Sequence, residues 1–342
     1  MQFGIFDVDN RLRRLSKMGD ALERINRIVD WEIFRPIIES ALKESRGKAK
    51  GPGGRPPFDC ILMFKILFLQ RLYNLSDDQT EYQSNDRLTF MRFLGLGVGD
   101  KVPDAKTIWL FRDTLTKAGV IKQLFDLFNR QLEEAHLITK KGTIVDATFV
   151  DAPRQRNTRE ENKTIKEGGI PDEWKKDENI HKLAQKDTDG RWTKKNEEVH
   201  YGYKDHVKAD ADSKLITGYL VTSANVHDSQ VLAGLIDETD EVLYADSAYN
   251  GKALLAALPE TLKLNVLEKG TRNCPLTDEQ KANNKEKSKV RVRIEHIFGF
   301  MTMSMHGITL RSIGKQRADF TIGFSNLVYN ICRTEILSRV AV

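Results

Sequence analysis

The chain has 342 residues, enough to bury a sizeable core and to form two domains. Its net charge of +5 is only mildly basic, so total charge does not establish nucleic-acid binding and local charge must carry that case. Cys60, Cys274 and Cys332 are too few and scattered for a zinc cluster, and their odd number argues against a disulfide framework.

The most hydrophobic run, Cys60 to Leu69, is interrupted by Lys65 and falls well short of the ~20 residues of a bilayer span. With no apolar signal region before Arg11, the expectation is a soluble intracellular protein without a membrane partner.

Residues 18 to 46 read as helical: Leu22, Ile25, Ile28, Val29, Ile33 and Ile37 recur at helical spacing, and Pro36 divides the region in two. The segment G-K-A-K-G-P-G-G-R-P-P, residues 47 to 57, is a basic linker. A nearly all-apolar helix follows from Asp59. Ser76 and Gln79 have the form of a capping box that opens another helix. Asp104 caps a further one, with Ile108, Trp109, Phe111 and Leu115 as its expected buried stripe and Gly119 at its end. A last helix runs from Val120 to about Ala135, so the first 137 residues are mostly α.

At Gly142 the pattern changes. Thr143 to Val150, His200 to Ala209 and Lys214 to Thr222 read as strands, the last two joined by a turn at Ala211-Asp212-Ser213. A helix is expected from Ser229 to Asp237, a strand from Glu241 to Ala245, a helix after Asn250 and a strand through Leu262 to Leu267. Two helices close the chain, from about Ser288 to Met303 and from Gly314 to Leu337. This order predicts an α/β layout with a mixed sheet. Residues 151 to 200 carry 24 charged residues, 12 of each sign, and few aliphatics. Such a stretch is expected to lack a core of its own, as a disordered insertion or a lid that orders on a partner. Residues 270 to 288 read as a second polar loop.

Three acidic residues stand out. Asp146 lies in T-I-V-D-A-T-F-V and Asp246 in V-L-Y-A-D-S-A-Y, both interrupting apolar runs where an uncompensated carboxylate is costly. Glu295 lies in R-V-R-I-E-H-I-F-G, on a helix whose Ile294, Ile297 and Phe298 form an apolar face. Two strand-borne aspartates and a helix-borne glutamate are what a two-metal phosphoryl-transfer site requires, with hard carboxylate oxygens holding Mg²⁺ or Mn²⁺. Taken singly, an aspartate in a strand is more often an edge or turn residue, and a helical glutamate flanked by Arg293 and His296 is most often a surface ion pair. Spacing alone does not separate a transposase from an RNase H-type nuclease.

The chain resembles the insertion sequence five family of bacterial DDE transposases over nearly its whole length. The matching stretches are G-G-R-P-P-F-D, Y-N-L-S-D, G-T-I-V-D-A-T-F-V-D-A-P, H-Y-G-Y-K-D-H-V-K-A-D, T-S-A-N-V-H-D, Y-A-D-S-A-Y-N-G and V-R-V-R-I-E-H-I-F-G. The resemblance implies an RNase H-like catalytic domain, a mixed sheet flanked by helices, with an all-α N-terminal domain. The expected divisions are N-terminal helices at 1–46, the linker at 47–57, a helical DNA-binding or dimerisation domain at 58–137, and the catalytic domain at 138–342 with its insertion at 151–200.

Asp146, Asp246 and Glu295 fall on the family's catalytic and metal-binding triad, with two ions per site. Arg291 falls on its arginine one helical turn before the glutamate. The family's basic residue seven positions beyond the glutamate is Thr302 here, which leaves Lys289, Arg293 or Arg311 to supply that DNA contact.

The implied function is binding of terminal inverted repeats, DNA cleavage and strand transfer. The expected partners are double-stranded element ends and target DNA, with at least a homodimer in the complex and a cytoplasmic, nucleoid-associated setting. The alternatives are an RNase H-like nuclease without strand transfer and a catalytically silent DNA-binding repressor.

Local charge supports a nucleic-acid partner: residues 281 to 293 carry a net +5 and lead into the helix of Glu295. Gly54-Arg55-Pro56 is either a minor-groove contact through Arg55 or a simple linker. Lys204 and His206 alternate along one strand and could face DNA together. Lys106 and Arg112 could belong to a helix-turn-helix-like reader, or to ordinary core helices. Trp174 and Trp192 either stack on an unpaired base or pin the insertion to the domain.

Overall fold

The computed structural model describes residues 6–46, 56–195, 197–249, 251, 254, 258–271 and 274–340. Arg55, most of the 47–57 linker and most of the helix expected after Asn250 lie outside the described residues.

The chain forms two compact units. One comprises residues up to Phe128, Ser304–His306 and the chain from Leu327 onward; the other comprises Asn129–Met303 and Gly307–Asn326. This differs from the expected division at 137/138 with everything beyond it in one domain. Asn129 explains part of the difference, since its amide donates to the Ile216 carbonyl at 2.9 Å inside the second unit. Glu335 explains another part, since it pairs with Arg24 inside the first.

The described elements of the first unit are helical: α1 Asp7–Lys17, α2 Ala21–Ile28, a 3-10 turn Trp31–Phe34, α3 Arg35–Arg46, α4 Cys60–Leu72, α5 Asp77–Asp86, α6 Leu88–Leu94, α7 Ala105–Ala118 and most of α8 Ile121–Glu134. Their starts are local side-chain chemistry. Asp59 accepts from the amides of Ile61 and Leu62, Ser76 and Gln79 form the expected capping box, and Asp104 accepts from Thr107. Gly119 ends α7 at φ +66°, in the left-handed region that glycine adopts freely. The core is aromatic, with Trp31 against Phe68 and Phe93 at 5.3 and 5.5 Å between ring centroids. Trp109, expected in the buried stripe, is instead exposed. Arg112 is held at Asp77 and Gln70 rather than presented as a reader.

The second unit is built on a six-stranded mixed sheet: β1 Thr143–Asp151, β2 Arg191–Lys195, β3 Glu198–Asp210, β4 Ile216–Ser223, β5 Val242–Ala245 and β6 Lys263–Val266. The order is β2-β3-β1-β5-β6, with β4 also paired to β3. β1 runs antiparallel to β3 and parallel to β5, and β5 is parallel to β6. Four strands joined by antiparallel pairings, β1 to β4, continued by two parallel ones, with helices flanking the sheet, fit an RNase H-like fold. Val145 of β1 enters an apolar cluster with Leu232, Leu243 and Tyr249, while Val150 joins a second with Tyr203, Leu310 and Ile322.

Two expectations are corrected here, while the final helix forms where expected. The region 229–237 forms two short 3-10 turns, Asp228–Gln230 and Leu232–Gly234, instead of one helix. The glutamate-bearing helix, α12 after the insertion helices α9 Arg159–Lys166, α10 Asp172–Lys175 and α11 Ile180–Ala184, spans Asp278–Met303 and so begins inside the expected polar loop. The final helix, α13, spans Lys315–Val340.

The charged insertion is also folded. It contains α9 to α11 and β2, and Trp174 is fully buried within it. The indole N–H of Trp174 donates to Glu161 at 2.7 Å, and the ammonium groups of Lys182 and Lys186 lie 5.7 and 5.1 Å from its ring. Glu161 closes a capping box with Thr158, and that backbone bond is the largest of the effects holding its carboxyl down at about 2. Buried Asp187 accepts from the Tyr203 hydroxyl at 2.8 Å, tying the insertion to β3. Paired charges around one buried aromatic replace the aliphatic core that composition argued against.

Candidate functional site

Asp146 and Asp246 come together through strand register. Thr143 pairs with Leu243, Ile144 with Tyr244 and Val145 with Ala245 on the parallel strands β1 and β5. The next residue in each case is an aspartate, Asp146 within β1 and Asp246 just past the end of β5, so the two carboxylates stand side by side where the pairing ends. Parallel neighbours lie about 4.8 Å apart, which makes this arrangement repulsive when both groups are charged. Burial is the main cause that raises the Asp146 pKa above the ordinary carboxylate range, and nearby Asp246 raises it further.

Both aspartates line a cleft of about 320 Å³. Its walls also include Phe149 of β1, Thr193, Lys194 and Lys195 of β2, Lys204 of β3, and Asn225, His227, Asp228 and Tyr249 from the turns. The folded insertion thus contributes three residues to the wall.

Glu295 reaches Asp146 through Arg291. α12 packs against β1 and β5 with Ile294 and Ile297 buried. One turn before the glutamate, the Arg291 guanidinium donates to Asp146 Oδ2 at 2.8 Å and stands 3.6 Å from Glu295 Oε1. Glu295 itself is more than half exposed. Among the described residues, no group of three or more His, Cys, Asp or Glu side chains is gathered to hold a metal ion. The arginine occupies the space between two of the three expected ligands.

The expected DNA contacts divide. Lys204 lines the cleft, but its ammonium donates to the Val226 carbonyl at 2.7 Å and to Asp228 at 2.8 Å. His206 is fully buried, its Nε2 2.8 Å from the Thr222 hydroxyl, and burial pushes its pKa down to about 4. It has no surface to offer DNA, because β3 is an inner strand. Lys289 is exposed and paired with Glu286 at 2.6 Å. Arg293 donates to the Ala211 carbonyl and to Asp212. Arg311 is exposed, as is Thr302.

Lys194, Lys195, Phe149 and Tyr249 also line the cleft and were not among the expected site residues. For the two lysines the signal was adjacent positive charge beside Trp192; for Tyr249 it was the tyrosine three residues beyond Asp246.

Two family models match the chain. One, described as "Transposase domain (DUF772)", covers residues 10–114, and one described as "Transposase DDE domain" covers residues 138–331. Among solved structures, the chain is similar to piggyBac transposase in a synaptic complex with hairpin DNA, seen by cryo-electron microscopy. That likeness has 12% identity and a TM-score of 0.47, over 91% of this chain and 75% of that one. The second family model spans more than half of the sequence, and the chain belongs to the family of transposase DDE domains.

Proposed function

We propose that the chain is a DNA transposase that binds the terminal inverted repeats of its element, cleaves there and joins the freed end to target DNA, acting as at least a dimer on DNA in the cytoplasm. The motif resemblance supports the insertion sequence five group of bacterial transposases within the family. The observation that carries the reading is the register of β1 and β5, which sets Asp146 and Asp246 side by side in one cleft.

The donor set fits divalent cations. Two hard carboxylates in mutual repulsion, one of them destabilised by burial, are relieved by a Mg²⁺ or Mn²⁺ charge. Asp146, Asp246 and Glu295 would hold two such ions, which supply charge neutralisation at the phosphoryl oxygens and activation of the attacking oxygen. The protein's own groups do the rest. β1 and β5 fix the aspartates rigidly, Arg291 ties Glu295 to Asp146, and Lys194, Lys195 and Lys204 give the cleft a positive rim for the DNA backbone.

The test uses purified protein, DNA carrying the element's terminal repeats, Mg²⁺ and a target plasmid. The expected result is repeat-dependent cleavage followed by a joined product. Cleavage without joining would replace this reading by a nuclease, and binding without cleavage would replace it by a silent repressor.

A further inference from the structure

We infer that the Tyr249 hydroxyl is a substrate contact, donating a hydrogen bond to a non-bridging oxygen of the phosphodiester held in the cleft of Asp146 and Asp246. This deepens the function proposed above and rests on it.

Tyr249 is 1% exposed, and its ring packs with Val145, Leu243 and Ala245. Its hydroxyl oxygen is buried without a hydrogen-bond partner, although the residue lines the cleft. Buried hydroxyls nearly always find partners, because an unmade bond is costly. Phenylalanine would fill the same apolar space without that cost, so packing alone does not account for the oxygen.

None of the surrounding carboxylates accepts from this hydroxyl; their bonds go elsewhere. Asp146 accepts from the Ala147 amide and from Arg291, Asp246 from the Ser247 amide, and Asp228 from Lys204. The donor therefore awaits an acceptor that enters the cleft. Burial first, and then Asp228, Asp146 and Asp246, keep the phenol protonated far above its ordinary range, so it remains a neutral donor. Lys195 on the same wall favours an anionic ligand. A phosphodiester brings both the charge and the free acceptor oxygens.

The experiment compares the full chain with Tyr249→Phe. The probe is a terminal-repeat duplex in Ca²⁺, carrying one stereodefined phosphorothioate at the junction between repeat and flanking DNA. Fluorescence anisotropy is expected to give about ten-fold weaker binding for Tyr249→Phe, the scale of a hydrogen bond to a charged group. One phosphorothioate diastereomer should weaken binding by the wild-type chain and leave Tyr249→Phe unaffected. The free variant should melt at the same temperature or higher, because the lost oxygen has no partner to lose.

Equal affinities, a sulfur effect that persists in Tyr249→Phe, or a clear fall in melting temperature would each overturn the inference. Cleavage in Mg²⁺ is scored separately. A wild-type chain that cleaves while Tyr249→Phe binds identically removes this inference and leaves the transposase. One that shows the tyrosine-dependent sulfur effect without cleaving removes the transposase and leaves the contact.

Discussion

At the scale of single residues, the proposed site rests on Asp146 and Asp246, and its proposed chemistry depends on both being carboxylates. Asp146→Asn keeps the size and removes the charge, so the fold should hold. Cleavage should fall by about 10³-fold or more, given the several kcal/mol that metal charge stabilisation contributes. Single-turnover cleavage with a melting control checks this; wild-type cleavage by the variant would dismiss Asp146 from the site.

Two neighbouring residues on β3 oppose each other in their response to pH. Asp205 is fully buried, and burial pushes its pKa up to about 7, although an amide bond from Asn326 at 3.1 Å pulls the other way. Its Oδ2 and the Asn326 Oδ1 are buried without partners, so a proton on Oδ2 converts one of two orphan acceptors into a donor. The folded state then holds a proton that the unfolded chain releases, and this contribution to stability is lost as pH rises from about 4 to about 7. His206 does the reverse. With its pKa lowered to about 4, stability is lost as pH falls from about 6.5 towards that value. The two slopes, each about 1.4 kcal/mol per pH unit, cancel between about pH 4 and 6.5. Asp205→Asn removes one, so the variant should lose stability steadily as pH falls through that window. Urea midpoints at several pH values test it, and parallel curves for variant and wild type would mean Asp205 does not titrate there.

At the scale of elements, the insertion depends on Trp174, its only fully buried large side chain among the described residues 151–200. Trp174→Ala should cost about 3–5 kcal/mol locally, enough to open α9 to α11 while the sheet persists. Limited proteolysis is expected to cut first between residues 159 and 186, and unchanged resistance there would show that paired charges hold the segment without the indole. The early start of α12 was available in the sequence as a Thr277-x-x-Gln280 capping pair, whose reciprocal bonds measure 2.9 and 3.2 Å. Polar composition hid it, since apolar periodicity begins only a few turns later.

At the scale of the whole molecule, +5 spread over 342 residues says little, and Lys195 on the cleft wall is where the proposed DNA contact is testable. Replacing Lys195 with Ala should weaken DNA binding for every sequence tested and lower the slope of log K against log salt by about one. A titration series in KCl measures this, and an unchanged slope would place Lys195 off the DNA path. No helix among the described residues is long and apolar enough to cross a membrane.

The sequence by itself determined the local features: the caps at Ser76 and Asp104, the helix start at Asp59, the strands leading to Asp146 and Asp246, and the turn between β3 and β4. These are written in a few adjacent residues, where capping bonds and side-chain periodicity act. Tertiary structure alone decided that Asp146 and Asp246 meet, that Arg291 stands between Asp146 and Glu295, that His206 is sealed inside and that Tyr249 ends in the cleft without a partner. Each depends on which strand lies beside which and which faces are covered. Register and burial arise between residues far apart in the chain, where no local pattern records them.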